Sequence, residues 1–370
     1  MILFNFTFYS IVCLVFIILI NKRDRPIARA GIIVYTLVTI VWLWVTLSFR
    51  EPTGDPWRYI LGLNKIADLS FLELLNYEDT PIGFALLNWL ITRFSTNSIV
   101  FFSIIYLFCI GPLYFAFRER FNKVESCILI MLYLLYPFYV NNLGNIFKQG
   151  IASGFMLWGL NNILDRNEPK WFKGLSLLLV STLFHSSFWL VNIALVIWYF
   201  IYRKRPVSWS VYTLIFFVIS GITGIIEPIV AYLLPDELVK EIGFSNYFDE
   251  EFLNSDDYLR IGYTSGFRLD FTIFTIFPLL VYYFIRNNIY IKSSSKYFIR
   301  FYCIIASSYF ILLYIPFSDR IASFSWFLMP FILFNQFKKI ENKNYLTNFI
   351  IILLIIYPIL MLTYTKGFFK

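Results

Sequence analysis

Residues 349–362 read FIIILLIIYPILML, and residues 11–20 read IVCLVFIILI. Neither run alternates polar and apolar positions, so neither suits a membrane β-strand, which keeps one apolar face over about 10 residues. Both suit a helix surrounded by apolar material on every side. Apolar stretches of about 17 to 25 residues, the length a bilayer core requires of a helix, recur along the chain with short polar joints between them. The composition agrees. Hydrophobic residues make up 59% of the 370, charged residues 15%, and mean hydropathy is +0.69, outside the balance of a soluble globular domain. The expected fold is all-α: a polytopic transmembrane helix bundle of about 12 spans (about 11 to 13) in a lipid bilayer, as a single integral membrane domain over residues 1–370.

Spans are expected near 2–20, 29–49, 98–117, 125–140, 146–164, 174–186, 188–202, 207–234, 269–285, 297–317, 320–337 and 345–365. The first lacks a basic leading region and a small-residue cleavage site, so it reads as a retained span rather than a signal peptide. Segment 81–93, PIGFALLNWLITR, is too short to cross and reads as interfacial or re-entrant. With that reading, loops 21–29, 118–124, 165–173, 203–206, 286–300 and 338–344 share one side and hold 20 of the 31 Lys and Arg residues. Short basic loops mark the cytoplasmic side. Both termini and the two long loops, 50–97 and 235–268, then face outward, together with 17 of the 23 acids. The net charge of +8 follows from these flanking bases and calls for no nucleic acid. Cys13, Cys109, Cys127 and Cys303 are scattered through spans without metal or disulfide spacing, and read as packing.

The stretch SFREPTGDPWRYI, residues 48–60, interrupts this apolar chain. Arg50, Asp55, Arg58 and Tyr59 open the first outer loop. Lys148 and Gln149 start a span at its outer end, and His185 closes one there. Arg268 and Asp270 enter a span from outside, and Asp319 and Arg320 sit in a two-residue outer turn. Ionisable groups at the bilayer edge are functional candidates, because burying them is costly unless they are paired, hydrated or bound. Arg50, Arg58, Lys148, Arg268 and Arg320 would assemble a cationic pocket, and guanidinium forks match phosphate oxygens. Asp55, Asp270 and Asp319 would orient the arginines. His185, the only histidine, is of the side-chain type that titrates near neutrality. Such a set fits a lipid-linked phosphate ester at the outer leaflet.

Each residue also has a plainer reading. Arg50 and Arg58 would snorkel at a span end. Asp55, between Gly54 and Pro56, would form a turn, and Tyr59 would be one interface aromatic among 26 tyrosines. Lys148 with Gln149 would anchor a helix, and Asp319 with Arg320 would form a local ion pair. His185 would be a hydrogen-bonded bundle residue, and the DEE run at 249–251 a solvated flap rather than a metal site. The functional reading rests on five distant clusters falling on one membrane face.

The pattern resembles the EpsG-like and Wzy-type bacterial polysaccharide polymerases. Their R..G.D..Y element after the second span is matched by Arg50, Gly54, Asp55 and Tyr59. An Arg-Gln-x-x-Ala element is matched by Lys148, Gln149 and Ala152, with Lys in place of Arg. A Phe-His-x-Ser element is matched by Phe184, His185 and Ser187, and a late arginine by Arg320; GFRLDF at 266–271 also fits. The resemblance implies a GT-C-type membrane glycosyltransferase of the bacterial plasma membrane, acting on its outer side. Its substrate would be undecaprenyl-pyrophosphate-linked oligosaccharide from an O-antigen, capsule or exopolysaccharide pathway. No cofactor and no metal are expected, in keeping with the absence of a Gly-rich phosphate loop or a metal-ligand motif. A chain-length-regulating co-polymerase is a partner the resemblance admits. Arg50, Arg58, Tyr59, Lys148, Gln149, Arg268, Asp270 and Arg320 would bind the pyrophosphate, with His185, or else Asp55, as the catalytic base. A lipid-linked oligosaccharide flippase and a membrane acyltransferase are the rival readings. A flippase would place its site near the midplane between related halves, and an acyltransferase would need its histidine on the cytoplasmic side.

Overall fold

The computed structural model describes residues 2–77, 80–164, 168–233, 266–285, 293–314, 318–338, 340 and 343–364. The expected acidic loop 235–268, with its DEE run, lies outside the described residues except for 266–268. The described residues are helical, with no strand among them. In chain order the helices are α1 (Ile2–Asn21), α2 (Pro26–Ser48), α3 (Asp55–Ala67), α4 (Phe71–Leu75), α5 (Ile82–Thr92), α6 (Ser98–Arg118), α7 (Lys123–Leu134), α8 (Pro137–Gly144), α9 (Phe147–Ile163) and α10 (Trp171–Phe184). There follow α11 (Trp189–Ile197), α12 (Val207–Thr223), α13 (Glu227–Leu233), α14 (Leu269–Ile285), α15 (Ser293–Ile311), α16 (Ser318–Phe337) and α17 (Lys343–Tyr364). Among the described residues two helices, α2 and α6, are long and apolar enough to cross a membrane, or three spans if the bent pair α7–α8 counts as one. Other apolar helices, α10, α12 and α14 among them, are shorter.

Several expected spans are broken, for local reasons. The span drawn over 125–140 bends by 76° between α7 and α8. Pro137 pushes the residue before it out of the helical region, and Tyr136 is extended at φ −88°, ψ 116°. Proline then serves as the first residue of α8, where its missing N–H does no harm. The span drawn over 207–234 stops at Gly224, which takes the left-handed conformation (φ 71°) that ends helices, and α13 starts afresh. At the other end of α7, Asn122 and Glu125 exchange side-chain and backbone hydrogen bonds of 3.0 and 3.3 Å, satisfying two exposed donors of the first turn.

The chain divides into two compact units. The first comprises residues 1–163, 170–185 and 337–370. Its centre is α9, packed against α6 and α10. The close approach depends on glycine. A Cβ on Gly174 would lie 2.4 Å from Ile163 Cγ1, and one on Gly159 would lie 2.8 Å from the Gly174 carbonyl oxygen. Small residues let helix backbones meet where no water drives association. At the end of this trio the buried Asn161 donates to the Ala116 carbonyl (2.6 Å) and accepts from Arg120 (2.9 Å). Asn162 donates to Glu119 (3.0 Å), which is paired with Lys173. The segment between α2 and α6, expected as an outer loop, contains α3, α4 and α5. There α5 packs on α3, α4 and α10, with Trp89 donating to the Leu69 carbonyl at 3.0 Å and Arg93 to that of Ala67 at 2.6 Å.

The second unit comprises residues 164–169 and 186–336. Here α15 packs against α11 and α12, and the Tyr314 hydroxyl donates to the Gly221 carbonyl (3.0 Å). Thr275 joins α14 to its neighbours. Its hydroxyl accepts from the Trp326 indole (2.8 Å) and its carbonyl accepts from Tyr302 (2.7 Å).

Candidate functional site

Of the ten residues named from sequence, seven lie in the first unit, and most of these occupy helix ends. Arg50 follows α2 and donates from Nη2 to the carbonyl of Gly144, the last residue of α8. The last carbonyls of a helix lack internal partners and carry the negative end of its dipole, so a cation settles there. Burial pushes the Arg50 guanidinium down to about 10, which leaves it charged at neutral pH.

Gly54 precedes α3 with φ 66°, a conformation open to glycine. Asp55 then falls in the first turn, where a carboxylate complements the helix dipole, and its partner Arg58 lies 3.9 Å away on the same helix. The Arg58 side chain is 70% exposed and that of Asp55 37%. Tyr59, one turn after Asp55, has its ring 5.5 Å from Phe84 and 5.1 Å from Phe147.

α9 opens with Phe147, Lys148 and Gln149. A lysine in the first turn of a helix is opposed by the helix dipole. Here two aromatic faces offset that repulsion. The Lys148 ammonium lies 5.5 Å from the Phe84 centroid and 5.7 Å from that of Tyr59, within range of a cation–π attraction. Gln149 beside it is buried. The N-terminal N–H groups of α9 and the Lys148 cation together suit an anion.

His185 caps the C-terminus of α10, extended at φ −152°, ψ 110°, with its N–H donating to Ser181. The preceding Phe184 stacks on Phe155 of α9 at 5.8 Å, nearly parallel. The last turn of α10 meets the first turn of α5. A Cβ on Gly83 would stand 2.7 Å from the Leu183 carbonyl oxygen. Arg50, Tyr59, Lys148 and His185 are thus linked through Gly144, Phe84 and Gly83; Asp55, four residues before Tyr59, lies on the same face of α3 as that ring, while Arg58 is exposed.

Three named residues lie in the second unit. Arg268 makes a two-pronged pair with Asp270 at 2.6 and 3.2 Å, and its guanidinium carbon lies 3.7 Å from the Phe271 ring centroid. Phe271 packs edge-on against Trp326 of α16 at 4.9 Å. Asp319 and Arg320, expected in a two-residue turn, instead form part of the first turn of α16, which begins at Ser318. The acid at its second position favours that helix start electrostatically.

Sequence reasoning passed over Gly83, Phe84, Phe147 and the Gly144 carbonyl. The one available signal was the Gly-Phe pair opening a segment too short to cross. Among the described residues no group of three His, Cys, Asp or Glu side chains gathers to hold a metal.

The model of the EpsG family matches residues 31–369. The chain belongs to the EpsG family. The match takes in all of the second unit, the first unit from residue 31 onward, and all ten residues named above in this EpsG-family protein. No curated protein and no solved structure matches it. Apolar helices and family membership together fit a membrane protein of polysaccharide biosynthesis, with a polymerase-like role.

Proposed function

We propose that this protein is a polymerase of lipid-linked repeat units, a glycosyltransferase of the bacterial plasma membrane with its site on the outer side. The growing glycan, held through its anomeric carbon on undecaprenyl diphosphate, is attacked by a hydroxyl of the terminal sugar of an incoming lipid-linked unit. The bond from anomeric carbon to diphosphate oxygen breaks, the new glycosidic bond forms, and the lipid diphosphate leaves as an anion. Arg50 and Lys148, assisted by Gln149 and the N–H groups of α9, stabilise that anion as its charge grows. His185 takes the acceptor proton; Asp55 is the alternative base. Tyr59 supports Lys148, and Arg58 attracts the anionic substrate from the exposed face of α3. In the second unit Arg268, oriented by Asp270, and Arg320 are proposed as further phosphate-binding groups.

The observation that carries the reading is the placement of two cations, Arg50 and Lys148, at the α8–α9 joint. Family membership supports a polysaccharide polymerase-like role. A bundle of about 12 spans and the GT-C likeness belong to the same proposal, as does a chain-length-regulating partner. Deletion of the gene separates this reading from a flippase. Loss of a polymerase leaves single repeat units displayed on the cell surface, whereas loss of a flippase leaves none displayed.

A further inference from the structure

The first turn of α5 touches both elements that carry the proposed chemistry. On one side Gly83 meets α10 backbone to backbone. A Cβ there would come within 2.7 Å of the Leu183 oxygen and 2.9 Å of its carbonyl carbon, two residues before His185. On the other side the next residue, Phe84, presents its ring to the Lys148 ammonium and to Tyr59. Phe84 is 1% exposed, so its ring has no room to swing away. Backbone contact on one flank and a buried ring on the other make this turn a wedge of fixed thickness.

We propose that the first turn of α5, acting beside the direct packing of α9 on α10, positions Lys148 relative to His185, with Gly83 and Phe84 as its positioning residues. The inference rests on the reading of this chain as a lipid-linked glycan polymerase. A base and an anion-stabilising cation act on one substrate only when both are held at the right distance from it, and a misplacement of about 1 Å costs about a hundredfold in rate. Gly83 is required because any side chain would push the Leu183 backbone away. Phe84 is required because a ring face, not mere bulk, attracts the ammonium.

The test uses the full chain in proteoliposomes. Phe84→Leu removes the ring and keeps an apolar side chain; Phe84→Tyr keeps the ring; Gly83→Ala adds the clashing methyl. With a lipid-linked repeat unit as substrate, Phe84→Leu and Gly83→Ala should each lower kcat by about tenfold or more, and Phe84→Tyr should retain most of the wild-type rate. Rates are compared per folded protein, with the thermal midpoint of each variant read on the same samples. Equal loss in Phe84→Leu and Phe84→Tyr, or wild-type rates in both Phe84→Leu and Gly83→Ala, would overturn the proposal. A second readout needs no catalysis: spin labels on Asn145→Cys, which caps α8 two residues before α9, and on Leu179→Cys, in α10, report their separation. Gly83→Ala should shift that distance distribution, and an unchanged distribution would overturn the positioning role. If the wild-type protein elongates nothing while the label distances still shift, the polymerase reading fails and the positioning role stands.

Discussion

Replacing Arg50 with glutamine should separate stability from function. Burial disfavours the charged guanidinium, whose pKa is pushed down to about 10. That depression corresponds to at most about 3 kcal/mol. The sign is that of a base, so the penalty is complete at neutral pH and lifts only as pH rises past about 10. The hydrogen bond from the charged donor to the Gly144 carbonyl returns about 1.5 to 3 kcal/mol. The two contributions nearly cancel. Arg50→Gln, two bonds too short to reach that carbonyl, gives up the bond and the burial penalty together, and should therefore change stability by less than about 1 kcal/mol, or about 3 °C in thermal midpoint. Turnover should fall far more. Removing one preorganised group from a developing anion costs about 10²- to 10³-fold. The assay is polymerisation by purified protein in nanodiscs, scored as glycan chain length over time, beside thermal unfolding of the same samples. A midpoint lowered by more than about 6 °C, with activity lost only in proportion to folded protein, would make Arg50 a structural residue and refute the reasoning.

Other outcomes follow from the same geometry. Gly159→Val sets branched carbon against the Gly174 carbonyl and should lower stability by about 2 kcal/mol or more, seen as a reduced unfolding midpoint. Burial raises the Glu119 carboxyl, but hydrogen bonds and charge from Lys173, with Asn162, outweigh it and hold the group below its ordinary value. Its contribution is thus present above about pH 4.3 and lost as pH falls through the lower folded value. Glu119→Gln should flatten that limb of the stability–pH curve. Trp326→Phe removes the indole bond to Thr275 and should destabilise the protein by about 1 kcal/mol in a denaturant titration.

The helical class, α2 and α6, the start of α9 beside Lys148 and the end of α10 at His185 were all legible, because long apolar runs and the polar residues that close them are local signals. The break at Tyr136–Pro137 was also local, yet the apolar run continues across it, and hydropathy alone draws one span. The Phe84–Tyr59–Lys148 contact was not legible. Among 43 phenylalanines and 26 tyrosines, composition gives no means of choosing the rings that meet a given lysine. The Gly83 contact is backbone against backbone, and no side chain announces it. Arg120 and Lys173 read from sequence as loop bases marking the cytoplasmic side, and Glu119 as one loop acid; their union with the buried Asn161 and Asn162 depends on the crossing of α6, α9 and α10.

The most direct measurement is elongation of a defined undecaprenyl-diphosphate-linked repeat unit by purified protein, comparing wild type with His185→Gln and Lys148→Met. Wild type should build a ladder of multimers with release of undecaprenyl diphosphate, and both variants, folded to the same extent, should leave the single unit unextended. A ladder made equally well by all three proteins would contradict the account.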